Sequence, residues 1–252
     1  MDSLNQNRDT YLNAEIIDSQ TGTRGIAKSF MANVFMWMFA ALAISALLAY
    51  LFSSSPQLLS YLIDAESGKL SLLGWGVMLA PIGFVMLMSL GYARLSATAI
   101  TALFLAYAAI NGISFSFILL AYTASSVIGC FLSAAAMFGI MAVMGYTTQK
   151  DLTGFGRILT MGLIGIVVAM LINMFMKSPM MDYIISIIGV MIFTGLTAYD
   201  VQKLKRIGAG IEFEGTAAAG VRKLAVLGAL SLYLDFINIF LFLLRLFGGR
   251  RD

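Results

Sequence analysis

Long apolar runs dominate the pattern of hydrophobic and polar positions along this chain. Seven of them are about twenty residues or longer and almost free of charge. A helix that crosses the hydrocarbon core of a bilayer needs about 20 mostly apolar residues. The predicted spans are 30–52, 71–92, 96–122, 125–146, 156–176, 181–202 and 224–247. The pattern therefore predicts seven transmembrane helices.

Strands explain the same runs poorly. A membrane β-barrel alternates apolar and polar residues in segments of about ten residues, whereas these runs are continuous and longer. We therefore predict an all-α integral membrane protein with one transmembrane domain, residues 30–248. Residues 1–29 are polar and of mixed charge, without the apolar core that a signal peptide has near its start. We expect them to stay on the chain as a solvent-exposed cytoplasmic tail, with 249–252 as a short C-terminal tail.

The basic residues of the loops predict the orientation, because cytoplasmic loops are enriched in Lys and Arg. With seven spans, the N-terminal tail and the loops after the second, fourth and sixth spans share one side. That side carries Arg8, Arg24, Lys28, Arg94, Lys150, Arg157, Lys203, Lys205, Arg206, Arg222 and Lys223. The other side carries Lys69, Lys177, Arg245, Arg250 and Arg251. We therefore expect a cytoplasmic N-terminus and an external C-terminus, or an internal C-terminus if one hydrophobic run is re-entrant. The short tail and the lack of an organelle signal favour a bacterial inner membrane.

Composition removes several classes of function. Hydrophobic residues make up 60% of the chain and charged residues 12%, with a net charge of +3. The basic residues form no dense run with interleaved aromatics, so we expect no nucleic-acid partner. The absence of histidine excludes imidazole catalysis and His-ligated zinc. Cys130 is the single cysteine, so no intrachain disulfide forms, and we expect it to be a buried core residue.

One carboxylate interrupts the last apolar run. Asp235, within "LSLYLDFIN", lies in the middle of the seventh span. An ionised carboxylate at the bilayer centre costs about 2.5–3.5 kcal/mol on insertion scales. Ser231, Asp235 and Asn238 are spaced four and three apart, so they form one stripe on the helix. Lipid offers this stripe no hydrogen-bond partner, so we expect it to face protein or water in a central helix.

A second carboxylate lies near the end of the sixth span. Asp200 follows Thr197 by three residues, so both belong to one helix face, and this face and the Asp235 stripe can line one cavity. Two carboxylates there cannot both ionise cheaply, so the pair exchanges protons as a unit. When ionised, it could transiently bind calcium, which takes carboxylate and carbonyl oxygens. The alternative is a structural role, with a protonated Asp235 hydrogen-bonded to a Ser, Thr or Tyr.

Arg94 is the candidate partner of this pair. The parity of the spans places the end of the second helix and the end of the sixth on the same side of the membrane. An arginine that bridges Asp200 there would close the cavity, and protonation of the carboxylate would release it. The alternative is an ordinary positively charged loop residue.

Two motifs resemble the Bax inhibitor-1 family of transmembrane proteins. They are "TGLTAYDVQKLK" (194–205) and "ALSLYLDFINIFLFLLRLFG" (229–248), with support from "GYTTQKDLTGFGRIL" (145–159). The resemblance, which is to bacterial members, implies seven helices with the seventh in the middle of the other six. It also implies a pH-sensitive calcium leak, and protection from cell death in eukaryotic members. It identifies Asp200 and Asp235 as a pH sensor and, by alignment through "NGISF" (111–115), Arg94 as the latch arginine.

The second span departs from the family pattern. Bacterial relatives can carry a glutamate there, whereas 71–92 has no acidic residue and Gly83 occupies about that place. We predict a pH-sensitive calcium leak with no enzymatic activity and no cofactor. One alternative is a regulatory protein that binds a membrane protease or a death factor. A remote alternative is an intramembrane aspartyl protease, disfavoured because no Gly-x-Gly-Asp precedes either aspartate.

Overall fold

A computed structural model describes residues 2–64, 69–91, 94–214 and 218–251 of the chain, which are almost entirely helical. The helices are α1 (Asp2–Ser54), α2 (Pro56–Leu59), α3 (Leu72–Gly91), α4 (Ala97–Ala121), α5 (Ala124–Thr147), α6 (Thr153–Met176), α7 (Pro179–Glu214) and α8 (Ala218–Phe247). Within those ranges the extended structure is limited to two isolated bridges, Ile63 with Leu70 and Tyr122 with Arg250. The all-α prediction is confirmed.

Six helices of the described chain are long and apolar enough to cross a membrane. Their spanning parts are Ala27–Ser54, Ala97–Ala121, Ala124–Thr147, Thr153–Met176, Pro179–Ile211 and Ala218–Phe247. The remaining predicted span corresponds to α3, whose apolar part, Leu72–Met88, is shorter. At 1.5 Å per residue it reaches about 25 Å, slightly less than the hydrocarbon core. The count is therefore six long helices and one short one, close to the seven predicted.

Helix ends differ from the predicted spans at the start of the first span and in the connection between the last two spans. The polar segment 1–29 is not separated from the first span, since α1 runs without a break from Asp2 and turns apolar at Ala27. Helices α7 and α8 likewise extend into the loop expected between them, to Glu214 and from Ala218. Helical hydrogen bonding is internal, so a helix can continue past the apolar segment into water.

Helix α8 is the centre of the bundle, as predicted. It packs against α1, α4, α5 and α7, and 72% of its apolar window is buried, against 11% for α6. The outer helices therefore expose apolar side chains, such as Ile164 and Leu171 on α6, where a soluble protein would carry polar ones. This inversion is typical of a membrane bundle.

Close helix contacts depend on small residues. A Cβ added to Gly112 of α4 would lie 2.6 Å from the carbonyl oxygen of Ser45 in α1. A Cβ at Gly145 of α5 would collide with the backbone of Ala198 in α7. Larger side chains at these two positions would push the helix pairs apart.

A buried polar cluster joins α1 and α4 to the central helix. The Ser45 hydroxyl donates to the Ala108 carbonyl at 2.7 Å, and its oxygen lies 2.8 Å from the Tyr233 hydroxyl. The Asn111 side-chain amide donates to Tyr233 at 2.9 Å and lies 3.4 Å from the Tyr107 hydroxyl. These bonds hold α8 in a fixed rotation, with Tyr233 facing α1 and α4.

Candidate functional site

The fixed rotation of α8 directs Asp235 toward α6 and α7. Residues 233 and 235 lie about 200° apart around a helix, so Asp235 faces away from the Tyr233 cluster. It lines a cavity of about 510 Å³ between α6, α7 and α8, to which Asp200 of α7 also contributes. We call this the acidic cavity. Ser231 and Asn238 line it as well, so the structure places the predicted stripe and both aspartates in one space.

Asp235 is deeply buried and incompletely hydrogen-bonded. Its side chain is 4% exposed, and its Oδ2 atom has no hydrogen-bond partner among the described residues. Neighbouring Asn238 gives its side-chain NH₂ to the Leu234 carbonyl at 2.8 Å, within its own helix. A structural carboxyl group would be expected to satisfy both oxygens, because a buried unpaired oxygen is costly. The oxygen without a partner therefore favours a role for this carboxyl group in binding a proton or an ion over a structural role.

Thr197 is placed differently from the prediction. It is fully buried, and its hydroxyl donates to the Phe193 carbonyl of its own helix at 2.9 Å. It is not among the residues that line the acidic cavity. The i−4 carbonyl is a common partner for threonine in a helix, so the polarity of Thr197 is satisfied locally.

Lys203 is a lining residue that the sequence reasoning counted only as a loop charge. It lies one turn after Asp200 and lines the acidic cavity beside it. The signal was present in the sequence, since oppositely charged residues three apart on a helix are neighbours. Lys203 therefore places a positive charge at the end of the cavity nearer the start of α8, which we call the inner mouth.

The acidic cavity has a smaller neighbour toward the start of α8. This inner cavity, of about 120 Å³, is lined by α7 and α8 alone and shares Asp200, Lys203 and Ser231 with the acidic cavity. The three shared polar residues therefore lie where the two cavities adjoin.

An apolar wall closes the opposite end of the acidic cavity. Phe242 and Met170 line the cavity there, and Met170 also lines a third cavity beyond them. The Arg245 guanidinium lies 5.8 Å from the centre of the Phe242 ring and 4.0 Å from the Met170 sulfur. Phe242 itself fits against Gly189, where an added Cβ would lie 2.6 Å from the ring. These contacts separate Asp235 from the far side of the bundle.

The motif at 145–159 forms a polar clasp near the inner mouth. Asp151 Oδ1 accepts from Arg206 at 2.7 Å, from the Thr153 hydroxyl at 2.6 Å and from the Thr153 backbone N–H at 2.9 Å. Gln202 adds bonds to Leu152 N–H at 2.9 Å and to the Lys150 carbonyl at 2.8 Å. The α5–α6 connection is thereby fixed to α7 next to Asp200.

The Asp151 carboxylate is strongly held in its ionised form. The Thr153 bonds, and then Arg206, hold the pKa of this carboxyl well below its usual range. Above its ordinary pKa of about 3.9 Asp151 is fully ionised, so the clasp does not change charge near neutral pH. A pH response in that range must originate elsewhere in the protein.

Arg94 lies in the connection between α3 and α4, with an exposed side chain. Arg94 is not among the residues that line the acidic cavity. Its helix, α3, packs against α4. The latch between Arg94 and Asp200 therefore stays a prediction. Gly83 of α3 is exposed, with open space around an added Cβ.

A metal centre would need more ligands than the aspartate pair supplies. Among the described residues no group of three or more Asp, Glu, Cys or His side chains could hold a metal ion. Calcium takes six to eight oxygen ligands. An ion at Asp200 and Asp235 would therefore keep much of its water.

Fold and site together define an integral membrane protein whose helical bundle has a cavity lined by two carboxylates. The family model described as "Inhibitor of apoptosis-promoting Bax1" matches residues 27–252. The chain belongs to this family, the Bax inhibitor-1 family that its motifs indicated. The match covers the whole bundle and starts where α1 becomes apolar.

Bacterial relatives match over nearly their whole length. The chain is 42% identical over 234 residues to the inner membrane protein YbhL of Escherichia coli K12, covering 93% of this chain and 97% of that protein. It is 40% identical over 238 residues to an uncharacterized protein of Deinococcus radiodurans, covering 94% and 97%. An uncharacterized membrane protein of Streptococcus pyogenes is 39% identical over 225 residues, covering 88% and 93%.

Proposed function

We propose that this protein is a pH-sensitive cation leak in the bacterial inner membrane, with Asp200 and Asp235 as its sensor. One observation carries the proposal: both aspartates line a single cavity inside the bundle, and Asp235 has a buried oxygen without a partner among the described residues. Intramembrane carboxylates of this kind mark ion and proton pathways. The inner-membrane location rests on the name of the E. coli relative.

Calcium is the ion that this chemistry favours. Carboxylate oxygens are hard ligands that suit calcium, and Ser231 and Asn238 add polar side chains in the same cavity. Two carboxylates in one poorly hydrated space exchange protons as a unit, so acidification changes the charge that a cation meets. Lys203 at the inner mouth would compete with the cation for the ionised pair.

Gating would act at both ends of the acidic cavity. We propose that Arg94 reaches Asp200 in a closed state and that protonation releases it. The wall of Phe242 and Met170 must also part before an ion passes. In the proposed orientation the N-terminus is cytoplasmic and the wall faces outward. Catalysis has no part in this proposal.

Calcium flux into proteoliposomes, measured against pH, tests the proposal. The wild type should show flux that rises as the pH falls from 8 to 5, the range in which biological pH sensors operate. Asp200→Asn should lose this dependence and leak at all pH values. Asp235→Asn should lose both the dependence and most of the flux.

Asn238→Ala is the matched control, because it changes the same helix face without removing an ionisable group. It should keep the pH dependence. Absence of calcium flux from purified wild type at every pH would overturn the leak. If, in addition, both aspartate variants kept the full cellular function of the protein, a regulatory role through a protein partner would replace the leak.

A further inference from the structure

The largest described cavity lies at the end of the bundle where α8 ends, on the far side of the Phe242 wall. It measures about 720 Å³ and is bounded by the ends of α6 and α8 and the start of α7. Three basic side chains line it, from three different segments, against one carboxylate: Lys177, Arg245, Arg250 and Asp182. We call it the basic cavity. It is separate from the aspartate pair.

Arg250 is held over this cavity by backbone pairing. The segment after α8 folds back on the α4–α5 connection, where Thr123 N–H donates to the Gly249 carbonyl at 3.0 Å. Arg251 N–H donates to the Ala121 carbonyl at 3.0 Å, and Gly249 N–H donates to the Ser126 hydroxyl at 3.0 Å. The backbone at Arg250 is therefore held in place, and its side chain lines the cavity.

Lys177 is fixed in an unusual backbone conformation. With φ of 51° it is the one non-glycine residue with positive φ in the described chain. The turn is closed by buried Asn173, whose carbonyl accepts from Lys177 N–H at 2.7 Å and whose side-chain oxygen accepts from Ser178 N–H at 3.0 Å. Glycine is the residue that this helix-ending position favours. A lysine at this position supplies a positive charge in a backbone conformation that glycine would adopt with less strain.

Asp182, the one carboxylate among the described residues that line the cavity, is already engaged. Asp182 Oδ1 accepts from the Asn173 side chain at 2.7 Å. The three basic side chains thus exceed the available negative charge, and their mutual repulsion favours an anion between them. Guanidinium groups match phosphate oxygens in pairs.

The rim of the cavity is apolar and faces outward. Met174 of α6 is 61% exposed and Tyr183 of α7 is 54% exposed. On a bundle in a membrane these surfaces meet acyl chains. A basic pocket between membrane helices, with an apolar exit to the lipid, suits the head group of an anionic lipid.

We infer that the basic cavity binds a phosphate-bearing anion, with its phosphate between Lys177, Arg245 and Arg250. The geometry fits a phosphatidylglycerol-type head group whose acyl chains leave along Met174 and Tyr183. A soluble phosphate ester carries the same recognised group, so the experiment must distinguish the two sources.

Native mass spectrometry of the purified full-length protein tests this site. Wild type should retain added dioleoylphosphatidylglycerol at least tenfold more than dioleoylphosphatidylcholine. Lys177→Gly should lower that retention at least fivefold while leaving thermal stability equal or higher, because glycine relieves the backbone. A loss of binding in this variant could not come from misfolding.

The adjacent arginines supply the matched control. Arg250→Gln should reduce retention at least fivefold, whereas Arg251→Gln, which removes the same charge from a residue that does not line the cavity, should keep it. Millimolar glycerol phosphate should fail to displace the lipid. If it displaces the lipid, the site is a phosphate site with a soluble ligand.

Two results would overturn the site. One is equal retention of the two lipids by the wild type, and the other is equal loss in Arg250→Gln and Arg251→Gln. These measurements involve no ion flux, so their failure would leave the proposed leak untouched. Failure of the leak would likewise leave the lipid site standing.

Discussion

At the residue scale, Asp235 and Tyr233 show how one helix carries two kinds of buried polar group. The Tyr233 hydroxyl has partners in Ser45 and Asn111. Asp235, two positions later, keeps an oxygen without a partner among the described residues. A satisfied polar group stabilises and orients a core, whereas an unsatisfied one costs about 1–3 kcal/mol. The first therefore belongs to the architecture, and for the second we propose a functional role.

Replacing Asp235 by leucine should separate stability from function. Asp235→Leu removes the unpaired oxygen, and the adjacent acidic cavity has room for the larger side chain. We expect it to stabilise the protein by about 1–3 kcal/mol, seen as a higher melting temperature in detergent, and to abolish pH-dependent flux. A lower melting temperature would show instead that Asp235 is a structural residue.

Tyr233→Phe should destabilise the protein, in contrast to Asp235→Leu. It leaves the Ser45 and Asn111 side chains without a shared partner in the core. We expect a loss of about 1–3 kcal/mol in the free energy of unfolding, measured by thermal or denaturant unfolding in detergent. Tyr50→Phe, at a tyrosine that is 64% exposed, is the control and should change little. Equal effects of the two changes would contradict the role of the cluster.

At the element scale, the residues that the sequence located best are those whose pattern repeats on one helix. Ser231, Asp235 and Asn238 form such a pattern, and all three line the acidic cavity. Thr197 shows the limit, because a threonine hydroxyl can bond to its own helix and polarity alone does not reveal its direction. The clasp joins Asp151 to Arg206, 55 residues apart, so only the packing of α5, α6 and α7 brings them together.

Helix α6 illustrates the same limit from the apolar side. It supplies one wall of the acidic cavity, including Met170, yet its sequence resembles any other apolar span. When the residues that line one wall of a cavity are apolar, the hydrophobic pattern of the sequence therefore does not reveal which helix forms that wall. The number of spans and the central position of α8 were predictable, because length and one buried charge are local signals.

The Phe242 wall provides an element-scale prediction. Truncation in Phe242→Ala should connect the acidic cavity to the basic cavity, because Met170 alone would then separate them. With Cys130→Ser to remove the buried native thiol, an Asn238→Cys reporter should react with a membrane-impermeant maleimide several times faster when Phe242 is truncated. The reagent is added on the side where α8 ends.

Phe247→Ala controls for this experiment, since Phe247 ends the same helix and is 73% exposed. It should leave the labelling rate of the reporter unchanged. A reporter that already reacts rapidly in the presence of Phe242 would show that the wall does not seal the cavity.

At the scale of the whole molecule, charge is arranged in order along the bundle. The Asp151–Arg206 clasp and Lys203 lie at the inner mouth, the aspartate pair lies within the membrane, and basic residues line the cavity at the other end. An apolar wall separates the acidic part from the basic part. In the proposed leak, the basic end would oppose the entry of cations from that side, and Lys203 would compete with cations at the inner mouth.

The clasp and the aspartate pair differ in the response to pH that we expect of them. The pKa of Asp151 is lowered, first by its bonds from Thr153 and then by Arg206. A lowered pKa means that the contribution of the clasp is complete above about pH 4 and is lost only as the pH falls further. It is therefore constant between pH 5 and 8.

We expect Asp151→Asn to shift neither the midpoint nor the steepness of pH-dependent calcium flux in that range, although it should loosen the α5–α6 connection slightly. Asp200→Asn should remove the dependence altogether, because it removes one member of the pair that shares protons. A midpoint displaced by Asp151→Asn would transfer the sensor from the acidic cavity to the clasp.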